Sequence, residues 1–218
     1  MATYQKFVKS FHIFEEMFIE RKAFRPDLYE PALLALKKYI HDKENRFAED
    51  FTRHDISLDF GAIRLIYNMD EKLDPRELKQ SRRQFIQEKS EGIQHYIFVL
   101  TKPFSSAADM ANIATQTNEL TKFVRKTLKK TNEIFFLKEV QYNVTKHYMV
   151  PKHEVIKNDK HEEILQTYGL QSKTQLPLLL TSDPVVRFIG GQEGDIIKVT
   201  RMPQHVGEHV LYRYCVSP

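Results

Sequence analysis

A single cysteine, Cys215, leaves no partner for an intramolecular disulfide and no second thiol for a thiolate zinc site. Placed in an alternating run, it reads as a small buried hydrophobe, and the compartment reads as reducing. Seven glycines give little material for phosphate-cradling loops or dinucleotide fingerprints, and neither motif occurs. Long apolar runs are missing too. Tyr96 to Leu100 and Leu176 to Leu180 fall far short of a membrane span, and the first residues show neither a signal-peptide apolar block nor an acid-poor transit pattern. The chain is expected to stay where it is made unless partners carry it, with no membrane partner. No Gly/Ser linker or internal repeat interrupts it.

What is present suits a packed domain or two. The chain has 218 residues, 41% of them apolar, with 15 Phe and 10 Tyr, enough for one large or two small cores. Lys and Arg exceed Asp and Glu by 33 to 29, an excess that helps near nucleic acid without demanding it.

The first half begins with helical periodicity. Phe7, Phe11, Phe14 and Phe18 recur at three- and four-residue spacing, with Lys6, Lys9, Glu15, Glu16 and Glu20 on the other faces. An aromatic stripe of this kind is ordinarily core. A second helix is expected from about Asp27 to Asp42, with Leu28, Leu33, Leu36 and Ile40 inward and Pro31 in its first turn, so the two form a helical hairpin. The period then changes. Residues 56–60, 63–67, 96–100 and 133–137 are short runs rich in β-branched and aromatic residues. Between the third and fourth lies a helical segment, Ala107 to Lys130, with Leu120, Phe123, Val124 and Leu128 on one face. That order predicts a crossover and a partly parallel sheet. A charged surface segment occupies Lys72 to Lys89.

From about Gln141 the pattern alters, so the boundary falls between domains at 1–140 and 141–218. Asp159 with Glu162 has the form of a capping box, opening a helix that runs to Tyr168 and stops at Gly169. A second, shorter helix carries its own punctuation. Ser182 or Asp183 can accept from first-turn N–H groups, Pro184 fits the first position and Gly190 can take the left-handed stop. Residues 196–201 and 210–216 alternate as strands, and the turn-rich stretch Met202 to Glu208 makes them an antiparallel hairpin. The fold class is therefore α/β in the first domain and a small α+β in the second.

Lys122, Arg125, Lys126, Lys129 and Lys130 form a basic stripe on the helix before the last strand of the first domain. Such a run is ordinarily a solvated face; its functional reading is contact with a DNA backbone, which needs cations rather than base-reading geometry. Lys79, Arg82 and Arg83 form a weaker cluster. His147 and His153 lack a carboxylate or thiol at a spacing that completes a tetrahedral metal set, and His205 and His209 carry no stronger case. An α/β half also raises a nuclease reading, which needs an Asp and a Glu-x-Lys pair at strand ends to hold a metal ion. Glu133-Ile134-Phe135 and Lys138-Glu139-Val140 lack the acid-x-Lys order. Asp70-Glu71-Lys72 and Glu88-Lys89 fall in loop or charged helix. The chain reads as non-catalytic and cofactor-free, with a metal-dependent nuclease or a free-standing nucleic-acid-binding module as alternatives. Arg187, Arg201 and Arg213, beside expected buried elements, call for planar partners, either internal, with Asp183 as one choice, or across an interface.

Taken in order, His147-Tyr148-Met149-Val150-Pro151-Lys152-His153, Gln175-Leu176-Pro177, residues 182–190, residues 194–201 and Tyr212-Arg213-Tyr214 resemble the C-terminal assembly domain of the fifth subunit of eukaryotic nuclear RNA polymerases and its archaeal counterpart. The resemblance covers the last third of the chain. It implies a non-catalytic shared subunit whose C-terminal domain docks on the largest subunit and helps hold the sixth. The N-terminal domain is then a nuclease-like jaw, without a working active site, near downstream duplex DNA. Carried over by position, Pro151, His153, Gln175, Leu176, Pro177, Asp183, Pro184, Arg187, Gly190, Gly194, Arg201, Gly207, Tyr212 and Arg213 match the family motifs. Of these, Pro151, His153, Gln175, Pro177, Asp183, Pro184, Arg187, Arg201, Tyr212 and Arg213 are the expected subunit-interface residues. The resemblance also implies a nuclear location, or a virus factory or virion for a viral copy, and no small-molecule substrate.

Three departures stand out. Glu16-Met17, Glu20-Arg21 and Phe24 look like the family's first-helix ending, but Lys22 replaces the usual glycine, so that helix is expected to end differently. Met202-Pro203-Gln204-His205-Val206 replaces a Ser-Glu-Thr type sequence before Gly207, and Gly191-Gln192-Glu193 replaces a usually basic segment.

Overall fold

The computed structural model describes residues 2–45, 56–68, 91–100, 107–202 and 207–217. Ile40's side chain, the Lys72 to Lys89 segment with Lys79, Arg82 and Arg83, the acids Asp70, Glu71 and Glu88, and the loop residues 203–206 with His205 lie outside the described residues. Two units result, Met1–Glu15 with Phe24–Tyr142, and Glu16–Ala23 with Asn143–Pro218.

Helix α1 (Ala2–Glu20), of which residues 16–20 belong to the second unit, and helix α2 (Pro26–Asn45) precede the four-stranded sheet of the first unit. Phe7, Phe11, Phe14 and Phe18 are all buried, as their spacing predicts. Phe11 stacks on Tyr29 of α2 at 5.0 Å between ring centroids. Helix α2 begins at Pro26, one residue before the expected start, so Pro31 lies in its second turn rather than its first. There its ring withholds the N–H that an ordinary residue would donate.

The sheet runs β1 (Ile56–Phe60), β2 (Ile63–Asn68), β3 (His95–Leu100), β4 (Thr131–Phe136) in that order across it. β1 and β2 pair antiparallel, whereas β2, β3 and β4 pair parallel. The parallel β3–β4 pair needs a crossover, and helix α3 (Ala107–Lys126) supplies it. One face of the sheet meets α1, with Phe14 edge-on to both Tyr67 and Phe135. The other carries Ile66, Tyr96 and Phe98 against Val124, Leu120 and Phe123 of α3.

One row on the α3 side is polar. Asp59, Arg64, Tyr96 and Asn132 lie directly opposite one another across all four strands. Arg64, only 4% exposed, donates from Nε and Nη2 to the two Asp59 carboxylate oxygens at 2.5 and 2.8 Å. Asn132 Nδ2 donates to Thr121 Oγ1 of α3 at 3.0 Å. Burial raises the Tyr96 phenol above its ordinary range. Because a two-residue slip would set these polar groups against Ile66, Phe98 or Ile134, the row favours one register.

The second unit holds a sheet in the order β5 (Lys152–Ile156), β7 (Ile196–Arg201), β8 (His209–Val216), β6 (Leu178–Leu180). β7 pairs antiparallel with β5 and β8, and β6 pairs parallel with β8. Helix α4 (His161–Thr167) is shorter than expected. A 3₁₀ turn over Asn158–Lys160 precedes it, so Asp159 sits inside that turn and the Asp159–Glu162 capping box does not form. The capping box of this unit is at Ser172 and Gln175 instead, around a 3₁₀ turn over Lys173–Gln175. Helix α5 (Pro184–Ile189) covers one face of the sheet, with Val186 and Ile189 packed on Ile197, Val199 and Cys215.

Candidate subunit-assembly site

Helix α5 is six residues long, too short to persist by itself, and its stability depends on how its ends are closed. At the N-terminus Asp183, rather than Ser182, is the cap. Its Oδ1 accepts from the amides of Val185 and Val186 at 2.8 and 3.3 Å, with Pro184 in the first turn. At the C-terminus Gly190 adopts φ +78°, and the amides of Gly190 and Gly191 donate to the carbonyls of Arg187 and Val186. That two-bond pattern is a Schellman closure.

Two more donors reach this end from Arg21, the residue that follows α1. Arg21 donates from Nε to the Phe188 carbonyl at 3.1 Å and from Nη2 to the Arg187 carbonyl. The guanidinium thus serves the Phe188 carbonyl and adds a second donor to the Arg187 carbonyl, at a helix end where the dipole favours a cation. Helix α1 itself ends in a second Schellman closure, Lys22 N–H to Ile19 and Ala23 N–H to Phe18, with Lys22 at φ +56°. The expectation that α1 ends differently without glycine is therefore corrected. The Lys22 backbone takes the left-handed position, and the strain is offset by the contacts that hold the segment. Glu16 of the same segment accepts from Asn143 Nδ2 at 2.7 Å and Lys146 Nζ at 2.6 Å.

The other motif residues distribute between local bracing and surface. Gln175 Oε1 accepts from the amides of Gln171 and Ser172, completing the capping box. His153 Nδ1 donates to the Pro151 carbonyl at 2.7 Å, and the Pro177 carbonyl accepts from the Tyr214 amide. Leu176 is buried. Gly194 donates to the Cys215 carbonyl, and Lys173 Nζ reaches the Gly194 carbonyl. Tyr212 meets Tyr168 edge-on at 5.6 Å. Arg187 and Arg213 are half-buried, Arg201 is exposed at the end of β7, and Gly207 is exposed before β8. Asp183 Oδ1 is engaged by its own helix. Cys215 is buried, and burial with Asp195 and then Asp183 nearby pushes its thiol up to about 11.

Apolar side chains also face solvent in this unit. Tyr148 is 89% exposed and Met149 72%, in the segment between β5 and the 3₁₀ turn Val144–Lys146, with His147 stacked on Tyr148 at 4.9 Å. Leu178 and Leu180 are exposed on β6, at the sheet edge, while Leu179 between them points to the core. Spacing could not show which apolar residues stay outside, since no alternation separates Leu178, Leu179 and Leu180.

The basic stripe of the first unit is only partly helical. Helix α3 ends at Lys126, so Lys122, Arg125 and Lys126 are on it and exposed, while Lys129 takes φ +54° beyond its end. Lys130 also lies beyond the helix, with Nζ donating to the Ile93 carbonyl. Lys129 and Lys130 therefore do not extend a single helical face. Among the described residues no cluster of three or more His, Cys, Asp or Glu could hold a metal ion, and no helix is long and apolar enough to cross a membrane.

Comparison with known proteins points to one family. Residues 142–215 match the model for the RNA polymerase Rpb5 C-terminal domain. DNA-directed RNA polymerase subunit Rpo5 of Saccharolobus shibatae is 48% identical over 71 residues, 33% of this chain and 83% of that protein. Rpo5 of Methanococcus vannielii is 46% identical over 74 residues, 34% of this chain and 94% of the relative. That of Sulfurisphaera tokodaii is 39% identical over 79 residues, 36% and 93% respectively. With the family model matched over residues 142–215 and these relatives covered over 83% to 94% of their length, the chain belongs to the Rpb5/Rpo5 family of DNA-directed RNA polymerase subunits.

Proposed function

We propose that the chain is a non-catalytic shared subunit of a multisubunit DNA-dependent RNA polymerase. Its C-terminal domain, residues 141–218, anchors it to the largest subunit and helps hold the sixth, and its N-terminal domain, residues 1–140, forms part of the jaw beside downstream duplex DNA. The site of action is the nucleus, or a virus factory or virion for a viral copy.

The observation that carries the reading is the exposed apolar surface of the family-matched unit. Tyr148 and Met149 stand out from a segment whose neighbours are locally hydrogen-bonded, and Leu178 and Leu180 line an open sheet edge. Large apolar groups held outside by a braced backbone suit a surface that another subunit covers. Asp183, Pro184 and Gln175 are occupied in closing local turns, so their contribution is to shape the unit. Pro151, His153, Pro177, Arg187, Arg201, Tyr212 and Arg213 remain the proposed contact set, with Tyr148 and Met149 added. Lys122, Arg125, Lys126 and Lys129 are the proposed cations toward DNA, and Lys130 contributes less.

The test is capture of polymerase subunits from a native extract by the tagged full-length chain and by Tyr148→Ser and Met149→Ser. These exposed positions leave folding intact, and capture by the double variant should fall at least tenfold, as for loss of a central apolar anchor. Undiminished capture would remove this surface from the interface.

A further inference from the structure

We infer that Glu16–Ala23, the end of α1, is a working part of the polymerase-docking unit, and that Arg21 is the positioning residue that finishes α5. This rests on the docking reading of the second unit. The segment is attached to that unit at both ends, Glu16 to Asn143 and Lys146, and Arg21 to the last carbonyls of α5, with Met17 and Phe18 buried between them. The unit is therefore discontinuous in sequence.

The matched residues 142–215 begin far beyond this segment. A relative of which 74 residues make up 94% has no room for a counterpart of α1 followed by a first unit. The cap is thus a feature of this two-unit chain that similarity to such relatives does not reveal. Its chemistry is specific. Two donors in the fixed fork of one guanidinium reach two successive carbonyls, and the aliphatic stem lies across Gly190, where an added Cβ would meet Arg21 Cγ, Cδ and Nε at 3.1 to 3.3 Å. A lysine keeps the charge and loses the fork. Because α5 carries the half-buried Arg187 and covers the sheet core, its last turn sets where the neighbouring contact residues stand.

The test uses the full-length chain with Arg21→Ala and Arg21→Lys. Hydrogen exchange is read at the Gly190 and Gly191 amides, and capture of polymerase subunits is measured from a native extract. Both variants should exchange about tenfold faster at these two amides, with protection of β2 and β3 unchanged. Capture should drop several-fold, with Arg21→Lys restoring less than half. Arg21→Lys guards against a general folding failure, which would show as lost protection in the first unit as well. Wild-type exchange and capture in Arg21→Ala would overturn the inference, as would faster exchange with undiminished capture. A wild-type chain that captures no polymerase subunit would instead overturn the docking reading itself.

Discussion

Arg21 lies across Gly190. A Cβ placed on Gly190 would stand 3.1 Å from Arg21 Nε, in a residue already at φ +78°. The end of one helix is packed on the turn that ends another, so this glycine meets both a backbone and a packing requirement. Gly190→Ala should destabilise the second unit by about 1–2 kcal/mol, from left-handed strain plus displacement of the arginine. Urea unfolding checks it, and in an Arg21→Ala background the penalty should shrink toward the backbone share alone.

Lys22 makes the opposite case. It closes α1 at φ +56° with a side chain that disfavours that conformation. Lys22→Gly should raise the stability of the segment by up to about 1 kcal/mol, after the greater freedom of glycine in the unfolded chain is subtracted. The expected result is a higher urea midpoint with an unchanged slope. A lower midpoint would mean that the Lys22 side chain contributes more than its backbone loses.

Gly191 is fixed by volume rather than by dihedral angle. An added Cβ would approach Val186 Cγ1 to 2.7 Å and Ile197 Cδ1 to 3.2 Å, both side chains fully buried. Gly191→Ala should cost about 1–3 kcal/mol by overpacking. Adding Val186→Ala makes room, so the double variant should be more stable than the sum of the two single changes predicts. Simple additivity in that cycle would contradict the packing account.

Much of this architecture is legible in the sequence, because its signals are local. Asp183, Pro184 and Gly190 punctuate α5 within eight residues, and the phenylalanines of α1 repeat at helical spacing. What escapes depends on partners distant in the chain. Arg64 alternates with Ile63 and Leu65 as an outward residue would, yet the sheet is covered on both faces and the guanidinium is buried against Asp59. Lys22 and Lys129 take left-handed backbone that only glycine would have announced. Asp159 and Glu162 carry a capping signature that a 3₁₀ turn overrides, while Ser172 and Gln175 form the real one. Their Ser-x-x-Gln spacing was readable, but Pro177 follows two residues later, so the signature opens a single turn rather than a helix. At the assembly site the motif order pointed to the family, whereas Arg21 was invisible as a cap because α5 lies more than 160 residues away in sequence.

Cys215 gives a pH signature. The buried thiol is pushed from 9.0 up to about 11, first by desolvation and then by Asp195 and Asp183. A folded value raised above the unfolded one means the folded state holds its proton longer. The thiol's contribution is therefore complete below about pH 9 and is lost as pH rises toward about 11. The unfolding free energy of the wild-type chain should fall more steeply across this window than that of Cys215→Ala. Parallel profiles would show that the thiol titrates alike in both states.

The most direct measurement is affinity purification of the tagged full-length chain from its native source at moderate salt, with mass spectrometry of what accompanies it. Co-purification of the two largest RNA polymerase subunits in near-stoichiometric amounts is the predicted result. Recovery of the chain alone, or with nucleic acid only, would contradict its role as a docked polymerase subunit.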